Sequence, residues 1–104
     1  MDPFVRRLVE RLFDPAQPLS RNRHFHTFDN PEGRRALRIS RRLKALQRDI
    51  EACQRAGGTA KVRHGEDQAG EMIVEVRLEQ LKTSRVTVLD KVEFELLCRL
   101  VPLP

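Results

Sequence analysis

The apolar positions of this chain change their spacing twice along its length, and each change marks a new kind of element. Phe4, Val5, Leu8, Val9, Leu12 and Phe13 recur on one helical face, which predicts a helix over 3–13. Asp2 is suited to cap that helix and Pro3 to open it, and Asp14-Pro15 ends it. A second, much longer helix is predicted over 31–56. Asn30 caps it, Pro31 opens it, Glu32 sits in its first turn, and Gly57-Gly58 stops it. Its apolar residues, Ala36, Ile39, Leu43, Leu46, Ile50 and Cys53, alternate spacings of three and four. That is the a/d seam of a heptad pattern.

From residue 59 the period falls to two. Thr59–Arg63 reads as a short strand and 65–70 as a turn rich in Gly, Asp and Gln. Over 71–80, Met72, Val74, Val76 and Leu78 face one way, and Glu71, Glu75, Arg77 and Glu79 the other. This alternation predicts a half-buried antiparallel strand. Lys82-Thr83-Ser84 turns the chain into a third strand, 85–89, with Val86 and Val88 expected inward. Beyond Asp90, both a continued strand (Val92, Phe94, Leu96) and a helix (Leu89, Val92, Leu96, Leu100) fit the spacing. Asp90 with Glu93 matches a capping box and favours a helix over 91–100. The fold class expected is therefore α+β: a long amphipathic helix packed on a three-stranded antiparallel β-meander over 59–89, with short N- and C-terminal helices. Leu43, Leu46, Ile50, Val74, Val76, Val86 and Val88 are its expected core.

A chain of 104 residues fits one domain, 1–104. The stretch 14–30 is a long connection, with Phe25 and Phe28 placed to pin it to a core. No internal repeat is visible. No apolar run approaches the ~18 residues of a membrane span, and Met1-Asp2-Pro3-Phe4 lacks the order of a secretory signal. A cytoplasmic protein without membrane contact is expected. Cys53 and Cys98 allow one disulfide, but each lies within an apolar helical pattern, which favours two reduced core thiols.

Charge is distributed unevenly. Residues 1–58 carry 13 Lys and Arg against 7 Asp and Glu, whereas residues 59–104 carry 7 against 8. Within 21–48 the count is 9 against 2, and over the whole chain Arg outnumbers Lys 16 to 4. Guanidinium groups make bidentate contacts with phosphate or carboxylate, although a GC-rich genome alone would also raise arginine usage.

Catalytic chemistry finds little support. His24 and His26, with His64 as a third ligand, would make an incomplete zinc set, and the cysteines lie far away in apolar patterns. Loop histidines beside anchoring phenylalanines are the plainer account, and no metal or cofactor is expected. Ser20, Ser40 and Ser84 lack a Gly-x-Ser-x-Gly setting. Glu71, Glu75 and Glu79 share a strand face with Arg77, which suits a solvated face better than a carboxylate pair. No Gly-rich phosphate loop is present. Neither an enzyme nor a small-molecule substrate is expected.

Two surfaces of the long helix could carry function instead. Arg34, Arg41, Arg48 and Arg55 fall seven apart, in line opposite the seam, flanked by Arg35, Arg38, Arg42 and Lys44. Such a line suits the phosphates of a nucleic acid, bound without strong sequence preference. Arg21 and Arg23 in the preceding loop would add contacts. A solvated back face is the simpler alternative, but such faces usually mix signs. The seam itself is narrow enough for a coiled-coil partner, which makes a homodimer or protein-interaction adaptor the second functional reading. Against it, the meander needs a helix to cover its apolar face.

The order of long helix, three strands and short helix resembles the α-β-β-β-α topology of double-stranded-RNA-binding domains. That family carries a basic start to its last helix, where this chain reads Asp90-Lys91-Val92-Glu93, so the resemblance is one of topology. Leu89-Asp90-Lys91-Val92-Glu93-Phe94-Glu95-Leu96-Leu97 is similar to the helix opening response-regulator winged-helix domains. It covers nine residues, and the given sequence ends where a recognition helix would be expected to follow.

Overall fold

Local hydrogen bonding explains where each helix begins and ends. In the computed structural model, which describes residues 1–13 and 29–103, α1 spans Pro3–Phe13 and α2 spans Pro31–Arg55. Asp2 Oδ1 accepts from the Phe4 backbone N–H at 2.7 Å, and Asn30 Oδ1 accepts from Gly33 N–H at 2.6 Å. Both side chains thus satisfy donors that a helix start leaves unpaired. At the far end of α2, Gly57 takes φ +82° and donates to the Gln54 carbonyl at 3.1 Å, while Gly58 donates to that of Cys53 at 2.9 Å. This is the Schellman arrangement, and its left-handed residue is a glycine because a Cβ would be strained there.

The three strands are β1 (Thr59–Glu66), β2 (Met72–Glu79) and β3 (Ser84–Asp90), paired antiparallel in the order β1-β2-β3. β1 runs three residues beyond the expected Arg63. The β1–β2 turn is organised by Asp67, whose Oδ1 accepts from the backbones of Ala69 and Glu71, both at 2.9 Å. Gly70, at φ +80°, completes it. The last helix, α3 (Lys91–Leu100), starts at a full capping box. Asp90 Oδ1 accepts from Glu93 N–H at 2.7 Å, and Glu93 Oε1 accepts from Asp90 N–H at 3.1 Å. The helical reading of 91–100 therefore holds over the strand alternative.

The fold is α+β, with the long helix packing on the antiparallel sheet. Contacts gather into two compact units, Met1–Leu43 and Lys44–Pro104. In the first unit the buried hydrophobic side chains are Val5, Leu8 and Val9 of α1 and Ala36 and Leu43 of α2. In the second they are Leu46, Ile50 and Cys53 of α2, Val74, Val76, Leu78 and Leu89 of the sheet, and Leu96, Leu97 and Val101 at and beyond α3. The Cys53 thiol lies within donating distance of the Thr59 carbonyl oxygen at 3.7 Å and that of Glu79 at 3.6 Å. Gln47 donates from its amide to the Leu100 carbonyl at 3.2 Å.

One face assignment differs from the sequence expectation. Val86 and Val88 are each 47% exposed, and Leu89 is the buried residue of β3. The cause is the length of the β2–β3 turn. Gln80 and Thr83 exchange backbone hydrogen bonds around a two-residue loop, Leu81-Lys82, rather than around the expected Lys82-Thr83-Ser84. Val74, Val76 and Leu78 consequently stand opposite Leu89, Thr87 and Arg85. Shifting a register by one residue exchanges every side chain between faces. Arg85 on the helix-facing side reaches Asp49 of α2 at 3.9 Å, while Val86 and Val88 sit opposite Arg77 and Glu75 on the other side.

Three smaller departures follow from position. Met72, at the first residue of β2, is exposed rather than inward, and Phe4, expected within the apolar stripe of α1, is exposed. Cys98 is an exposed thiol, not a core one, because the buried residues of α3 are Leu96 and Leu97. Cys53 is buried as expected, and both cysteines are free. Among the described residues no helix is long and apolar enough to cross a membrane.

Candidate nucleic-acid interface

The register that buries the seam of α2 also decides what the helix shows to solvent. Ala36, Leu43, Leu46, Ile50 and Cys53 are buried, and so is Ser40 beside them. The residues left exposed between Gly33 and Arg48 are Arg34, Arg35, Arg38, Arg41, Arg42, Lys44 and Arg48. Every one of the seven is a cation. Further along, Asp49, Ala52, Gln54 and Arg55 are exposed, so the uniform sign ends after Arg48. The first unit carries Arg34, Arg35, Arg38, Arg41 and Arg42; the second carries Lys44, Arg48 and Arg55.

Helical geometry spaces the roots of Arg34, Arg41 and Arg48 by roughly 10 Å each, at 1.5 Å per residue. The neighbours at three and four residues are also cationic, as in Arg34–Arg38, Arg38–Arg42 and Lys44–Arg48. Like charges at that spacing oppose the helix by about 0.2–0.5 kcal/mol per pair. Arg34 relieves part of this through Asp29, with Nη1 at 3.7 Å from Oδ1, but both side chains are more than half exposed. Such an exposed pair contributes little.

The sheet's outer face is built differently. Lys61 Nζ of β1 lies 3.1 Å from Glu79 Oε2 of β2, and Arg77 Nη1, on the same strand as Glu79, lies 3.8 Å from its Oε1, so cations there stand beside a carboxylate. Glu75 stands opposite Arg63. This is the charge-mixed face expected from the alternation of 71–80. The excess positive charge therefore resides on the helix.

The remaining candidates are dispersed or lie elsewhere. His64 is exposed and packs edge-on against the Phe94 ring, with centroids 5.5 Å apart. No group of three metal-ligating side chains occurs among the described residues. Arg21, Arg23, His24 and His26 lie outside the described residues. Arg7 and Arg11, which no motif in the sequence marks, are exposed on α1. Their signal was positional, since they share a flank with Phe4. No protein-family model, curated protein or solved structure matches the chain.

Proposed function

We propose that this chain is a non-catalytic binding module that holds the phosphates of a nucleic acid through Arg34, Arg35, Arg38, Arg41, Arg42, Lys44 and Arg48, with Arg55 at the end of the face. One observation carries the reading: the exposed residues from Arg34 to Arg48 are all cationic. A face that serves only solubility gains from mixed signs, because its neighbours at three and four residues then attract rather than repel. A polyanion removes that repulsion and releases counterions when it binds. Six of the seven are arginines, which suits bidentate phosphate contact. Little sequence preference is expected, since no Asn or Gln stands exposed in the run to read base edges.

The adaptor reading needs the seam at the surface. Five of its six residues are buried within the chain, so a partner helix would have to displace what covers them. Binding of a fluorescently labelled 20-base-pair duplex and of single strands of equal length, measured by anisotropy at low salt, tests the phosphate reading. Failure of every form to bind would end it.

A further inference from the structure

The first unit exposes an aromatic ring that its own core does not use. Val5, Leu8 and Val9 are the buried residues of α1, and they define its inner side. At 100° per residue, Phe4 lies about a quarter-turn away from that side. It is 52% exposed. Arg7 and Arg11, three and seven residues on, fall on the same flank and are exposed too. The opposite flank is neutralised internally, with Arg6 Nε 3.0 Å from Glu10 Oε1. Among the described residues no ion pair to Arg7 or Arg11 is formed.

We propose that Phe4, with Arg7 and Arg11, is a stacking platform for an unpaired base, and that the preferred ligand is single-stranded nucleic acid. This rests on the phosphate reading above and adds to it. Leaving half of a phenylalanine residue exposed to water forfeits part of its burial gain, and Phe has no polar side-chain atom that would explain the position. Stacking needs one accessible ring face with cations beside it to hold the flanking phosphates. Five of the seven exposed cations of α2 up to Arg48 (Arg34, Arg35, Arg38, Arg41 and Arg42) belong to the same compact unit as α1. A base inside a duplex offers no free face to such a ring, so the platform distinguishes single strands from duplexes where the arginines alone do not.

An anionic lipid surface would also attract Arg7 and Arg11. Interfacial helices insert a continuous apolar face into the bilayer, and the apolar side of α1 is already buried in the protein. One phenyl ring is a small anchor for a membrane and a sufficient one for a base.

The test compares the unaltered chain with Phe4→Leu and Phe4→Trp. Leu keeps an apolar side chain without a ring, and Trp keeps the ring. The ligands are a 20-nucleotide oligothymidylate, a duplex of equal length, and phosphatidylserine vesicles. Phe4→Leu should weaken oligothymidylate binding by roughly 5- to 140-fold, the span implied by base–aromatic stacking. Duplex binding should change less than about twofold, and Phe4→Trp should retain single-strand affinity. Equal losses on both nucleic acids, or no loss on either, would overturn the platform while leaving the phosphate reading intact. Absence of binding to both nucleic acids by the unaltered chain would overturn both proposals. Vesicle binding that depends on Phe4, with no single-strand preference, would assign the ring to lipid and reject the platform.

Discussion

The Cys53 thiol stands 3.6 Å from the Glu79 carbonyl oxygen, which joins the end of α2 to the end of β2. Gly58 lies close against both. A Cβ on Gly58 would lie 2.5 Å from that oxygen and 2.7 Å from the sulfur. The obstruction is partly backbone, which cannot rotate away. Gly58→Ala should therefore destabilise the fold by about 1–3 kcal/mol, the usual cost of overpacking. Adding Cys53→Ala should recover only part of the loss, because the carbonyl stays in place. Urea unfolding of the three proteins checks this, and a Gly58→Ala variant as stable as the parent would show that the junction is loose.

The register of β3 gives a second prediction. Leu46 is buried, so Leu46→Ala should cost about 2–5 kcal/mol. Val86 and Val88 lie on the outer face and are half exposed. Val86→Thr and Val88→Thr should each change stability by less than about 0.5 kcal/mol, as exposed substitutions do. If either threonine costs as much as Leu46→Ala, the two-residue turn at Leu81-Lys82 is misplaced by one position.

That contrast shows what could be read without a structure. The caps at Asp2, Asn30 and Asp90 and the stop at Gly57-Gly58 are local, since each acts on residues no more than five positions away. Period and punctuation identify them. The seam and the arginine line are equally local, because one register sets both. The facing of β3 is not local. Valine at 86 and 88 and leucine at 89 support opposite parities, and the choice depends on whether two or three residues make the preceding turn. The exposure of Phe4 was hidden for a similar reason. Its helix carries apolar residues on a wide arc, and only the packing reveals which part of that arc is covered.

Cys98 offers a chemical check on the placement of α3. Partial burial of the thiol, and then the Glu95 carboxylate, hold its pKa above the ordinary cysteine value. Only the thiolate is nucleophilic. At a pH just below that ordinary value, iodoacetamide should alkylate Cys98 more slowly than an unstructured cysteine peptide. Glu95→Gln removes a negative charge that disfavours the thiolate, so it should lower the pKa and speed the reaction. Cys53 should react only when the protein is unfolded, since it is buried. Mass spectrometry of the alkylated tryptic peptides separates the two sites, and faster modification of Cys53 than of Cys98 would contradict the packing of both helices.

The arginine face makes a quantitative demand on salt dependence. Four phosphate contacts on duplex DNA, made by Arg34, Arg41, Arg48 and Arg55, should give a slope of about −3.6 in log K against log salt. Arg41→Ala with Arg48→Ala should flatten that slope by roughly two units. Both residues are exposed and opposite the buried seam, so the double variant should fold normally, each change costing under about 0.5 kcal/mol. It should even relieve the repulsion of Arg48 against Lys44 four residues before it. The measured slope separates specific use of this face from general attraction to a basic protein. Diffuse attraction would fall in proportion to net charge wherever a cation is removed, so Lys61→Ala with Arg63→Ala on the charge-balanced sheet serves as the control. A slope that flattens equally for both pairs would mean that no particular face is engaged. A slope that flattens only for Arg41 and Arg48 would identify α2 as the element lying against the phosphates.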